Sequence, residues 1–288
     1  MGSLVGFPSN LFLRLDLERS LEELAVLGAE CVELIDDVPH FPHELRWKAD
    51  LALIKEALSP FEGKVSVHSC FYELNLGSAH SEIRRLTLRE TKRCIDLAWR
   101  LEAEILTVHP GVSPFPKDMK IHGRVKQQFI QDLRECHIHA ESLGIKLCLE
   151  NCPSPQGFFH RLSEAEELRN RINVLNVTFD VGHAFIVENA LGTRNIENRL
   201  ARDIRRYGKG LISHIHLHDN KGVKDNHLPI GDGAIRFKPI ADALISASSP
   251  GQAILELWNP KDVKRAAGLS LKRTMRLLGR TRLRQMEP

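Results

Sequence analysis

Long hydrophobic runs are missing from this 288-residue chain. Its longest apolar pieces, such as ILTV and ILEL, fall far short of the roughly 20 residues a membrane span requires, so a membrane-embedded protein is not expected. The opening stretch MGSLVGFPSNLFLRLD has no basic start, no extended apolar core and no small-residue cleavage site. Nothing in it marks the chain for secretion, and a cytoplasmic location is the expectation. CxxC spacing is absent as well. The six cysteines, Cys31, Cys70, Cys94, Cys136, Cys148 and Cys152, are scattered through a chain long enough to need no staples, and they are read as reduced core residues. No GxGxxG turn stands near the start of the chain, where VGFPSN is found instead, which argues against a dinucleotide-binding open sheet. Linkers, low-complexity tracts and shifts of composition are also lacking, so one domain is expected.

Charge of one sign is scarce except at one end. The chain carries a net +3, but residues 261–288 hold nine Lys/Arg against Asp262 and Glu287, a local +7 that leaves −4 for the rest. A nucleic-acid enzyme usually carries a basic stripe across its binding face. Here the surplus lies in one terminal helix and tail, and a solvated helix face accounts for it.

What the chain does have is alternation. Short apolar, β-branched runs alternate with longer amphipathic stretches eight times, the runs closing at LFLRL, CVELI, KVSVH, ILTVH, KLCLE, NVTFD, ISHIHLH and AILEL. Helical stretches between them include ERSLEELAVLGAE, HELRWKADLALIKEAL and IENRLARDIRRYG, and Gly28 and Gly144 sit where a positive φ closes a helix. Ser163 and Glu166 have capping-box spacing. Repeated βα units predict parallel strands joined by right-handed crossovers, and eight of them predict an α/β fold, a single (β/α)8 TIM barrel of the usual length.

In such a barrel, polar residues that close apolar strands converge on one mouth. Nearly every predicted strand closes with one: His68, His109, Glu150, Asp180 with His183 just beyond, His216, and Glu256, while the loop after the seventh strand adds Asp225 and His227. Carboxylates crowded at one mouth repel unless cations or protons neutralise them. Mixed imidazole and carboxylate donors without thiolate favour Zn, Mn, Fe or Co.

In their order, the segments VHSC…LNL, VHPG, LEN, FDVGHA, HLHDN, DNHLPIGDG and ILE resemble the xylose-isomerase-like barrel superfamily, which contains sugar isomerases and epimerases and also endonuclease-IV-type apurinic-site nucleases. The resemblance spans about residues 10–280 and implies one such domain over 1–288, ending in a basic helix and tail at about 261–288. In the nuclease pattern three ions are held. The matching residues are His68, His109 and Glu150 for the first; Glu150, Asp180, His216 and Glu256 for the second; and His183, Asp225 and His227 for the third. The epimerase pattern implies one ion at the second position, with Glu150 and Glu256 as the acid/base pair. One to three divalent ions per chain (Zn, Mn, Co or Fe) are therefore implied.

Three departures point away from the nuclease. The string DVGHA stands where nucleases have one like DTCHA, DNH stands for DRH, and only GVK separates Lys221 from Asp225. The expected function is a divalent-metal-dependent isomerase or epimerase acting on a small sugar, cyclitol or sugar phosphate through an enediolate. The alternative is an apurinic/apyrimidinic endonuclease with a trinuclear zinc site and DNA as its partner. Phe71 and Tyr72 in HSCFYELNLG suit either a duplex wedge or a lid over a small ligand. Lys117, Lys120, His122 and Arg124 are candidates to meet a substrate phosphate, Glu33 to touch substrate, and Asp36 and Asp37 to cap a helix. No oligomeric state is implied.

Overall fold

Eight parallel strands close into a barrel in the order β1 to β8 in the computed structural model, which describes residues 3–40, 47–61, 64–172, 175–247 and 251–279. The strands are β1 (Leu4–Pro8), β2 (Cys31–Ile35), β3 (Val65–His68), β4 (Ile105–Val108), β5 (Lys146–Glu150), β6 (Asn176–Asp180), β7 (Ile212–Leu217) and β8 (Gln252–Leu255). Between them run α1 (Leu17–Val26), α2 (Trp47–Leu58), α3 (Ser81–Arg100), α4 (Lys120–Ser142), α5 (Ala165–Ile172), α6 (Val181–Ala190), α7 (Ile196–Tyr207) and α8 (Phe237–Ser246). Helix α9 (Val263–Leu277) follows β8. The barrel closes where β1 pairs with β8, Leu4 against Gln252.

Seven of the eight expected strands lie where the apolar runs place them. The first does not. The run LFLRL is a 3-10 turn, Ser9–Phe12, and its continuation, while β1 is the preceding LVGFP. Glycine and proline within LVGFP disguise it, and both have reasons to be there. A Cβ on Gly6 would lie 1.9 Å from the Cys31 carbonyl oxygen across the β1–β2 pairing, so only glycine fits. Pro8 is the last residue of the strand, a position proline tolerates better than the middle of a sheet.

The expected capping box also resolves differently. Ser163 lies inside a short 3-10 turn, Leu162–Glu164, that leads into α5. Gly28 and Gly144 adopt φ +84° and +73°, as their helix-closing positions require. Of the stretch HELRWKADLALIKEAL, residues 43–46 lie outside the described residues; of the basic terminal segment, α9 is described and residues 280–288 lie outside. No helix among the described residues is long and apolar enough to cross a membrane. The core is a continuous cluster of strand and inward helix residues, from Val5 and Phe7 to Leu255 and Leu257, and it leaves the polar strand ends gathered at one rim.

Candidate metal and active site

All nine donor residues singled out from the sequence, from strand ends and the loops beyond them, meet at the C-terminal mouth. Among the described residues their donor atoms fall into three sets, each with atoms within 4.8 Å of one another: His68, His109 and Glu150; Glu150, Asp180, His216 and Glu256; and His183, Asp225 and His227, which His218 joins. Glu150 is shared by the first two. Its Oε2 lies 3.4 Å from His68 Nε2 and 3.2 Å from His109 Nε2. Its Oε1 lies 3.2 Å from His216 Nδ1, which is also 3.2 Å from Glu256 Oε1. In the third set Asp225 Oδ2 is 3.1 Å from His183 Nε2 and 3.2 Å from His227 Nε2.

Backbone carbonyls orient the rings. His68, His183 and His227 each donate Nδ1–H to a carbonyl, of Ser69, Asn151 and Glu256 respectively, at 2.9–3.0 Å, which turns the Nε2 lone pair toward a carboxylate. Two lone-pair atoms facing each other repel unless a proton or a cation lies between them. Burial alone would push the Glu150 carboxyl up, but His216 and the hydrogen bonds from His109, His216 and His68 hold it well below the usual carboxylate range. Burial likewise disfavours a charged His216, yet Glu256, Glu33 and Glu150 hold it well above the usual imidazole range. His227 follows the same pattern: burial is outweighed by Asp225 and Glu256, and the ring is pushed up to about 9. At each of these contacts a proton or a divalent cation must lie between the two facing atoms, and a cation that binds there displaces the proton.

The donor sets fit such ions. Ligands at about 2.0–2.2 Å from a tetrahedral zinc lie roughly 3.3–3.6 Å apart, and the contacts above run from 3.1 to 3.4 Å. Asp180 Oδ2 is buried without a hydrogen-bond partner, as an atom kept for coordination would be. The donor chemistry, imidazole and carboxylate without thiolate, suits Zn, Mn, Co or Fe.

Several residues support the donors without belonging to any donor set. Asn151 clamps β6 with both amide atoms, its Oδ1 accepting from Asp180 N at 2.8 Å and its Nδ2 donating to Asp180 O at 2.9 Å. Asp219 is fully buried, and its carboxylate accepts from the backbone N–H groups of Asn220, Gly231, Gly233 and Ile235 at 2.9–3.1 Å. That fastens the loop carrying Asp225 and His227. His227 itself has φ +45°, a strained conformation for a non-glycine residue, and is pinned by its ring contact and by Trp258 N–H donating to its carbonyl.

Gly182 accounts for one of the two residues by which DVGHA departs from DTCHA. A Cβ there would lie 2.1 Å from the His218 ring, so this glycine and that histidine require each other. Gly182→Ala is expected to cost about 1–3 kcal/mol by overpacking. His218→Ala in the same chain should recover most of it, and a double-mutant cycle by chemical denaturation measures the coupling.

Above the donors lies a cavity of about 300 Å³, at the small end of ligand pockets. Its wall is mainly apolar: Pro8, Ile35, Phe71, Tyr72, Leu257 and Trp258, with Asn10 beside them. The Phe71 ring packs 4.8 Å from the His109 ring and 5.1 Å from that of His68.

Several minor expectations change. The Asp37 Oδ2 accepts from Phe71 N and Tyr72 N at 2.8 and 2.9 Å and so holds the aromatic wall. Asp36 pairs with Arg93. Glu33 does not reach the cavity but lies fully buried behind His216. Lys117, Lys120, His122 and Arg124 do not line the cavity either. His122 is buried against Phe115, because α4 begins at Lys120 and carries this segment away from the mouth.

Residues 21–278 match the model of a family described as xylose isomerase-like TIM barrel. The chain is 29% identical to the uncharacterized protein MJ1311 of Methanocaldococcus jannaschii, over 89% of this chain and 84% of that one. Among solved structures it resembles a D-tagatose 3-epimerase-like protein at 26% identity and a TM-score of 0.77, covering 96% of this chain and 98% of the other. It also resembles the TTHB071 protein of Thermus thermophilus, studied after soaking with ZnCl2, at 24% identity and a TM-score of 0.68, over 98% and 100% of the two chains.

Proposed function

Because the chain belongs to the xylose isomerase-like TIM barrel family, we propose that it is a divalent-metal-dependent isomerase or epimerase of a small sugar, cyclitol or sugar phosphate. The observation that carries this reading is the convergence of Glu150, Asp180, His216 and Glu256, from four successive strands, beneath a small cavity with an aromatic wall. The likeness to a D-tagatose 3-epimerase-like protein supports it. A divalent ion held by those four residues would stabilise negative charge on a substrate carbonyl oxygen and the adjacent hydroxyl oxygen.

Glu150 and Glu256, on β5 and at the end of β8, are the acid/base pair in this proposal. One carboxylate takes the proton from the carbon next to the carbonyl, leaving an enediolate. The other carboxyl returns a proton, on the opposite face for epimerisation. Phe71, Tyr72 and Trp258 exclude water from the apolar side of the sugar.

The experiment is direct. Protein loaded with Mn, Co or Zn is incubated in D2O with a panel of 2-ketopentoses, 2-ketohexoses and their phosphates, and NMR is expected to show deuterium entering next to the carbonyl of at least one. A second reading, hydrolysis at abasic sites in DNA, is favoured by the donors of the first and third sets, which an epimerase does not need. Nicking of an abasic duplex, with no exchange into any sugar, would replace the first reading by the second.

A further inference from the structure

His216 presents the opposite nitrogen from its neighbours. His68, His183 and His227 offer Nε2 to their carboxylates, whereas His216 offers Nδ1 to Glu150 and Glu256. Its Nε2 faces down into the barrel, where Glu33 Oε2 lies 2.8 Å away, close but not aligned as a hydrogen bond. Neither atom meets another hydrogen-bond partner.

Glu33 is itself held from below. Its Oε1 accepts from His214 Nε2 at 3.0 Å and from Thr107 Oγ1 at 3.2 Å, and Thr107 in turn pairs with Thr178 at 2.8 Å. All five residues are fully buried, on β2, β4, β6 and β7. A carboxylate at this depth is costly to desolvate and adds no packing that a leucine could not. Its cost is consistent with a task that needs an anion at that spot.

We propose that Glu33 is a positioning residue for the metal site: it accepts Nε2–H from His216, fixes the tautomer whose Nδ1 lone pair points at Glu150, Asp180 and Glu256, and makes that nitrogen a stronger donor. The inference rests on the reading of those four residues as metal ligands. Carboxylates behind ligating imidazoles typically change metal affinity by about 10–100-fold. His214, held between Ser66 and Glu33, then serves to keep the carboxylate in place and does not line the cavity above the donors.

The test uses Co2+ as the probe, titrated into chelator-stripped full-length protein in competition with an indicator. Glu33→Gln keeps the volume and one acceptor oxygen but loses the charge. It should weaken the site that His216→Ala abolishes by about 10–100-fold. Wild-type affinity in Glu33→Gln, with the site still lost in His216→Ala, overturns the inference and leaves the metal reading standing. Unchanged binding in both variants overturns both. If Glu33→Gln does not fold, long-range 1H–15N correlation on the metal-loaded wild type decides. His216 with a protonated Nε2 and a coordinated Nδ1 is expected, and the reverse tautomer overturns the proposal.

Discussion

Glu150→Gln and Glu256→Gln should each slow deuterium exchange into the sugar by about 10²–10⁴-fold, the usual worth of a positioned acid or base. Glutamine keeps an oxygen for coordination but cannot take up a proton, so chemistry and ion binding separate. Glu256 offers the cleaner case. It belongs to one donor set, and its side chain is 14% exposed toward the cavity, where a substrate can reach it. Glu150 is 2% exposed and shared by two sets, so its substitution should also lower metal stoichiometry or affinity. Exchange is read by NMR and bound metal by elemental analysis on the same samples. Full exchange in either variant with metal retained would remove that glutamate from the acid/base pair.

The parts of the fold that were legible in the sequence are those in which local pattern and tertiary role agree. CVELI, KVSVH and KLCLE read as strands because β-branched and apolar residues fill a parallel sheet buried on both faces. LVGFP was concealed because its glycine answers a contact with Cys31 that is 25 residues away in the chain. Helix α6 was hidden for a different reason. From Val181 to Glu188 every residue is buried, so the helix has no polar face and shows no 3.6-residue alternation. The donors themselves were legible, since a charged group closing an apolar strand conflicts with its surroundings unless it serves a site. Asn151, Asp219 and Glu33 were not legible as supports. They act through backbone N–H groups or through the far nitrogen of a ligand, and such partnerships appear only when the chain has folded.

Asp219→Ala should be among the most damaging substitutions outside the donor sets, although the residue does not line the cavity above the donors. Its two oxygens accept four backbone N–H groups from residues 220 to 235, and a Cβ on Gly233 would lie only 2.2 Å from Oδ1. Alanine leaves those donors facing a void. Each buried N–H left without an acceptor costs about 1–3 kcal/mol, less where water can enter. A summed loss of several kcal/mol would lower the thermal midpoint by about 10 °C, taking roughly 2–4 °C for each kcal/mol. The loop thus released carries Asp225 and His227, so the third donor set should lose its ion while the second, built on strand ends, keeps its own. Metal stoichiometry below the melting transition reads this directly: a drop confined to one ion supports the division, and unchanged stoichiometry would show that the loop holds its shape without Asp219. Asp219→Asn should rescue only part of the loss, because its amide nitrogen meets N–H groups that need an acceptor. The loop is therefore held by the carboxylate's acceptor capacity in addition to its charge, and the fourteenth and sixteenth residues after Asp219 are fixed as firmly as the first.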